Sequence, residues 1–114
     1  MEFLALIHAD ENGWDSMSED EQQAVYQRYV DFSQRPEVVG GAELQATDAA
    51  TTVRVRDGEQ LVTDGPYAEV KEALGGFFIL EAPSIDEACR LAADIPAAEH
   101  GAIEVRPVYV REES

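Results

Sequence analysis

The chain is poor in the residues that most small catalytic or metal-holding domains use. It has one cysteine, Cys89, so no internal disulfide can form. With only two histidines, His8 and His100, there is no His/Cys spacing of the kind that binds zinc, and no metal is expected. Basic residues are scarce too: 8 Lys and Arg against 24 Asp and Glu, a formal net charge of −16. That balance repels phosphate backbones and anionic membranes and argues against a nucleic-acid partner. No apolar run approaches the roughly 20 residues needed to span a bilayer. No basic segment precedes Phe3-Leu4 in the manner of a signal peptide. A cytoplasmic protein without a membrane partner is the expectation. Gly-x-Gly-x-x-Gly, P-loop and nucleophile-elbow patterns are absent, which leaves nucleotide and serine-hydrolase chemistry without support and suggests no cofactor.

What remains is ordinary globular composition, 45% hydrophobic and 28% charged. Its length, 114 residues, suits one domain spanning residues 1–114. Phe3-Leu4-Ala5-Leu6-Ile7 is a continuous apolar run and predicts a strand buried on both faces. Ser18-Glu19-Asp20-Glu21 has the form of a capping box. It opens a helix whose Val25, Tyr29 and Phe32, flanked by Tyr26 and Val30, repeat at helical spacing until Pro36 stops it. Ala42 to Ala46 is a candidate strand. Thr51 to Arg56 alternates with period two, Asp57-Gly58 fits a type I′ turn, and Glu59 to Thr63 returns. The turn places Arg56 opposite Glu59 and Val53 opposite Val62. Gly76 to Glu81 predicts a further strand. A second capping box, Ser84-Ile85-Asp86-Glu87, opens a helix burying Ala88, Leu91, Ala92 and Ile95 before Pro96. Cys89 falls in this helix and reads as a buried or inert thiol. The last strand is Gly101 to Arg106, and Pro107 points to a sheet edge.

The order β-α-β-hairpin-β-α-β is the split βαβ pattern of a ferredoxin-like α+β sandwich with an extra β-hairpin. Helices cover one face of such a sheet. The other would carry apolar residues of the first strand and of Phe77/Phe78, too many to leave in water. A homodimer that packs two sheets face to face, a dimeric α/β-barrel, is therefore expected.

The densest chemistry lies in Asp64-Gly65-Pro66-Tyr67-Ala68-Glu69-Val70-Lys71-Glu72-Ala73-Leu74-Gly75-Gly76-Phe77. Asp64-Gly65-Pro66 is first a turn, since Gly permits positive φ and Pro fixes φ near −65°. The turn leaves Glu69, Lys71 and Glu72 unaccounted for. In a short helical turn after Pro66, Glu69 would sit near the N-terminal amides and Lys71 could pair with Asp64 or Glu69. Enclosed in a dimer cavity, the same groups could move protons. At the end of the first strand, His8 and Asp10 are further candidates for binding a ligand, with a structural hydrogen-bonding role for His8 as the alternative.

This segment resembles the Asp-Gly-Pro-Phe signature of the YCII-related "DGPF domain" proteins, with Tyr67 in place of the usual Phe. The likeness extends to Leu6 through Glu11, Thr51 through Phe78, Ser84 through Ala88 and Val105 through Pro107. It implies the dimeric α/β-barrel fold. By position it carries over Asp64, Gly65, Pro66, Glu69 and Lys71, and it assigns them no reaction. In the wider superfamily a His on the first helix and an Asp have been proposed as a catalytic pair. No histidine lies between Ser18 and Pro36 here, and His8 does not stand at that position. Two functions follow as expectations. One is a small cofactor-free enzyme doing acid/base chemistry on a small organic molecule, with Asp64 or Glu69 as base, Lys71 as electrostatic partner, and His8, Asp10, Gly65, Pro66 and Tyr67 holding the ligand. The other is a non-catalytic ligand-binding or accessory module using the same cavity.

Overall fold

A computed structural model describes residues 1–111. Along the chain run β1 (Glu2–Ala9), α1 (Asn12–Asp15), α2 (Glu19–Ser33), β2 (Val38–Glu43), β3 (Thr51–Arg56), β4 (Glu59–Asp64), β5 (Ala73–Glu81), α3 (Ile85–Ala92) and β6 (Ala102–Pro107), with short 3₁₀ turns at Thr47–Ala49 and Pro96–Glu99. Four strands form one antiparallel sheet in the order β2-β5-β1-β6, and β3 pairs only with β4. This is the ferredoxin-like α+β sandwich with an inserted hairpin.

Local signals set most of the element ends. Ser18 accepts a hydrogen bond from the Glu21 amide, and the Glu21 carboxylate accepts one from the Ser18 amide, a complete capping box on α2. At α3 only half of the box forms. Ser84 caps the Glu87 amide, while the Glu87 carboxylate turns to Arg90. The hairpin turn has Asp57 and Gly58 both at positive φ, as type I′ requires, and it sets Arg56 opposite Glu59 and Val53 opposite Val62.

The core lies between the sheet and the α2/α3 layer. Phe3, Phe32, Leu80 and Ile95 are its largest fully buried side chains, each worth about 1.5–3 kcal/mol of burial. Phe78 joins the layers, its ring 5.0 Å from Phe32 and 6.5 Å from Tyr29. Arg35 ties the end of α2 to Asp94, 2.7 Å away.

Four details differ from the sequence expectations. β1 is buried on one face only: Phe3 and Ala5 point at the helices, whereas Leu4 and Leu6 on the opposite face are half-buried. β2 starts at Val38 and β5 at Ala73, because glycines let these strands approach closely. A Cβ at Gly41 would lie 2.6 Å from the Phe77 carbonyl oxygen, and one at Gly76 would lie 2.8 Å from that of Ala42. Cys89 is exposed: Ala88, Ala92 and Ile95 define the buried side, and Cys89 sits one residue round the helix from it. Finally, residues 65–72 are a run of bends rather than a helical turn. The Gly65 amide donates to the Ala50 carbonyl at 2.8 Å and Thr52 Oγ1 donates to the Gly65 carbonyl at 2.7 Å, which fixes Gly65 to the hairpin base. A helix starting there would have to turn away from those bonds.

Candidate functional site

Antiparallel pairing gathers the sequence candidates at one end of the sheet. β1 finishes there, β5 and β6 begin there, and the register sets Ala9 beside Ala73 and His8 beside both Leu74 and Ala102. Asp10 and Glu11 follow at the same end, and the 65–72 segment leads into it. Gly75 is the extra residue of a bulge, since Ile7 pairs with Gly76 and His8 with Leu74. Gly101 packs directly against the His8 carbonyl and Ala9, leaving no room there for a side chain.

His8 lies on the open face of the sheet, the one without helices, with Leu4, Leu6, Phe77 and Ile79 alongside. Its Nε2 is 3.2 Å from Glu104 Oε1 on β6. The His8 side chain is 30% exposed and that of Glu104 is 52% exposed, so within one chain the pair is open to water. Sequence reasoning did not find Glu104. Its one signal was an acidic residue between Ile103 and Val105, which becomes informative only once β6 is known to pair with β1.

Asp10 accepts a hydrogen bond from the Asn12 amide at 2.9 Å and so shapes the turn into α1. Glu11, another residue missed from sequence, does more. Its two carboxylate oxygens accept from the Thr47 amide at 2.7 Å and Thr47 Oγ1 at 2.9 Å. This holds the 47–49 turn against the end of β1, across 36 positions of sequence that carry no local sign of the contact.

The 47–49 turn and the signature segment enclose a recess of about 440 Å³ lined by Thr47, Asp48, Gly65, Pro66, Glu69 and Ala73, among others. Gly65 and Pro66 are half-buried in its wall, Gly65 at φ 98°. Of the proposed proton-transfer groups Glu69 alone lines this recess. Asp64, Tyr67, Glu69, Lys71 and Glu72 are all exposed. Among the described residues, none of the charged four makes an ion pair. The electrostatic shifts that do occur lie elsewhere. The Ser18 amide and hydroxyl hold the Glu21 carboxyl below its ordinary value, the Arg28 guanidinium does the same for Glu99, and burial pushes the Tyr29 phenol up.

No group of three or more His, Cys, Asp or Glu among the described residues could hold a metal ion, and no described helix is long and apolar enough to cross a membrane. The fold and the glycine-proline turn at its sheet end define a ferredoxin-like protein with a signature-bearing insertion. A family model for the YCII-related domain matches residues 1–112. The chain is 37% identical over 117 residues to an uncharacterized protein of Rhizobium meliloti (strain 1021), covering 95% of this chain and 92% of that relative. It belongs to the YCII-related family.

Proposed function

We propose that the chain is one half of a face-to-face homodimer that binds a small organic molecule at the signature end of the sheet. The observation that carries this reading is the recess, which brings Gly65, Pro66 and Glu69 together with Thr47 and Asp48 beside the end of β1. The half-buried Leu4, Leu6, Phe77 and Ile79 support the dimer, since a second sheet laid on them would complete their burial. Light scattering should return twice the 12.5 kDa chain mass. In the enzyme form of this reading the molecule undergoes cofactor-free acid/base chemistry. Glu69 or Asp64 takes a proton from the substrate and returns it, Lys71 offsets the developing negative charge, and His8, Asp10 and Tyr67 orient the ligand. The setting is cytoplasmic, with neither nucleic acid nor membrane as partner.

The second reading, binding without turnover, is favoured by one specific observation: Asp64, Glu69 and Lys71 are exposed, and proton transfer is served best by groups withdrawn from bulk water. One experiment addresses both. A thermal-shift screen of small organic acids, amines and aromatic molecules is run on wild type, Glu69→Gln and Asp64→Ala. Glu69 is exposed and among the described residues makes no ion pair, so Glu69→Gln should fold normally and lose the stabilisation that wild type shows. Compounds that stabilise wild type are then incubated with it and followed by NMR, where conversion selects the enzyme and an unchanged spectrum the binding module. Stabilisation that survives in both variants refutes the site.

A further inference from the structure

The open face of the sheet carries an ionisable pair beside its apolar centre. The register of β1 with β5 and β6 puts Leu4 and Leu6 on that face with Ile79 and Phe77, and it sets Glu104 directly opposite Leu6. His8, two residues further along β1, is diagonal to Glu104, which allows the 3.2 Å contact between Nε2 and Oε1. The contact does little for a single chain. Its partners sit on strands already joined by backbone bonds, and an ion pair this open to water adds little stability.

Few other charges face His8. On β1, Leu6 precedes it, and Asp10 beyond the strand end is taken up by the Asn12 amide. On β5 its neighbour is Leu74, and that strand carries no charge before Glu81, which lies opposite Glu2. At the same far end the amino group of Met1 holds Glu81. Lys71 and Glu72 come before Ala73, which pairs with Ala9. Gly101 meets His8 through the backbone, and His100 before it is exposed. β6 brings Ala102 beside His8, then Glu104, then Arg106 opposite Leu4. A second copy laid on this face in a two-fold pair brings the same set.

We propose that the pairing of two copies takes up a proton at His8, so that the dimer tightens as pH falls through the range in which histidine titrates. This rests on the face-to-face dimer described above and adds the regulation of its interface. Covering the face takes His8 and Glu104 out of water together. With His8 neutral, each copy buries a carboxylate held only by a neutral imidazole, and the two-fold axis brings two such carboxylates into one interface. With His8 protonated, the pair has no net charge and its hydrogen bond is charge-assisted. Pairing therefore prefers the protonated form, and by linkage acid favours pairing. The site occurs twice in a dimer, so a preference of about threefold at each copy changes Kd about tenfold. Arg106 is the competitor for this role. It makes no ion pair among the described residues and stands two positions from Glu104 on the same face. Had it taken over Glu104 in the dimer, pairing would be indifferent to His8.

The test is sedimentation over a dilution series, giving Kd at steps from about pH 7.5 to about pH 5.5, the window in which histidine changes charge and ordinary carboxylates do not. It is run on wild type, His8→Asn, His100→Asn and Glu104→Gln. We expect the wild-type Kd to fall by about tenfold or more across the window. His100→Asn removes the chain's other histidine and should follow wild type, whereas His8→Asn should stay flat. Glu104→Gln should reverse the sign. At the upper end it pairs more tightly than wild type, having no carboxylate to bury, and it loosens in acid as His8 gains a charge without a partner. Three results each overturn the proposal while leaving the dimer in place: a wild-type Kd that ignores pH, a His8→Asn variant that follows wild type, or a Glu104→Gln variant that tightens in acid. A wild type that is monomeric at every pH and concentration overturns the proposal together with the dimer.

Discussion

Gly75 and Gly76 look equivalent in the sequence, yet the structure sets them against different surroundings, and alanine at each should behave differently. An ideal Cβ at Gly75 has nothing within 4 Å, whereas one at Gly76 would lie 2.8 Å from the Ala42 carbonyl oxygen and 3.4 Å from Glu43 Cα. The first of these is backbone and cannot rotate aside. β2 would have to move outward by several tenths of an ångström, weakening the ladder to β5 and the Leu44 amide bond to the Gly75 carbonyl, now 2.9 Å. Overpacking of this kind costs about 1–3 kcal/mol. Because β2 is an edge strand, free to shift on its other side, the lower half of that range applies. Replacing glycine also restricts the unfolded chain, a gain of about 0.4–1 kcal/mol common to both positions. Gly76→Ala should therefore destabilise by about 1 kcal/mol net, and Gly75→Ala should be neutral or stabilising by up to about 1 kcal/mol. Urea unfolding at one fixed protein concentration, extrapolated linearly to water, resolves a gap of that size. Two variants within about 0.3 kcal/mol of one another would refute the close-approach explanation. So would the reverse order.

Three further outcomes follow from named contacts. Ser18→Ala should cost about 1 kcal/mol at neutral pH by urea unfolding. Glu21 is held below its ordinary 4.5 by the Ser18 bonds, so its contribution is present above that value and lost as pH falls through the lower folded value; the deficit of Ser18→Ala should shrink over the same acid window. Glu11→Ala removes both bonds to Thr47, a loss of about 1–2 kcal/mol for exposed, charge-assisted bonds, and hydrogen exchange should locate the loosening at residues 47–50 and in the recess wall. Burial raises the Tyr29 phenol above its ordinary 10.0, so an ultraviolet titration of wild type against Tyr29→Phe should show a phenol ionising above that value that the variant lacks. Its contribution to stability is complete below that value and is lost as pH rises through the folded one, a loss that Tyr29→Phe should abolish.

The parts of the fold that could be read in the sequence are those fixed by neighbours along the chain. Ser18 with Glu21, Asp57 with Gly58, and Phe32 with Tyr29 each act within a few residues, so helix starts, hairpin register and most of the buried helix faces could be written down in advance; Tyr26, expected beside Tyr29 on the apolar face of α2, is instead 55% exposed. The site was only half legible for the complementary reason. Glu11 with Thr47 and His8 with Glu104 are contacts made by the sheet order, 36 and 96 positions apart. Nothing near either residue announces them. The failed helical turn after Pro66 belongs with these: local preference allowed it, and the bonds from Ala50 and Thr52 to Gly65 decided against it.

Once structural duties are assigned, the signature segment divides cleanly. Gly65 and Pro66 make the reversal after β4, with Gly65 at positive φ, Gly75 forms the bulge opposite His8, and Gly76 admits β2. Each of these would be required in a protein that bound nothing. Glu69, Lys71 and Glu72 have no such duty, since among the described residues none makes an ion pair or a side-chain hydrogen bond within its own chain. Exposed charges of this kind add about 0–1 kcal/mol even when paired, so their placement beside a recess is not explained by stability. A ligand or a second chain brought to the His8 end would give them partners. The two separate on one point. A bound molecule should protect Glu69 and the recess wall at any protein concentration, whereas a second chain should do so only where the chain is dimeric.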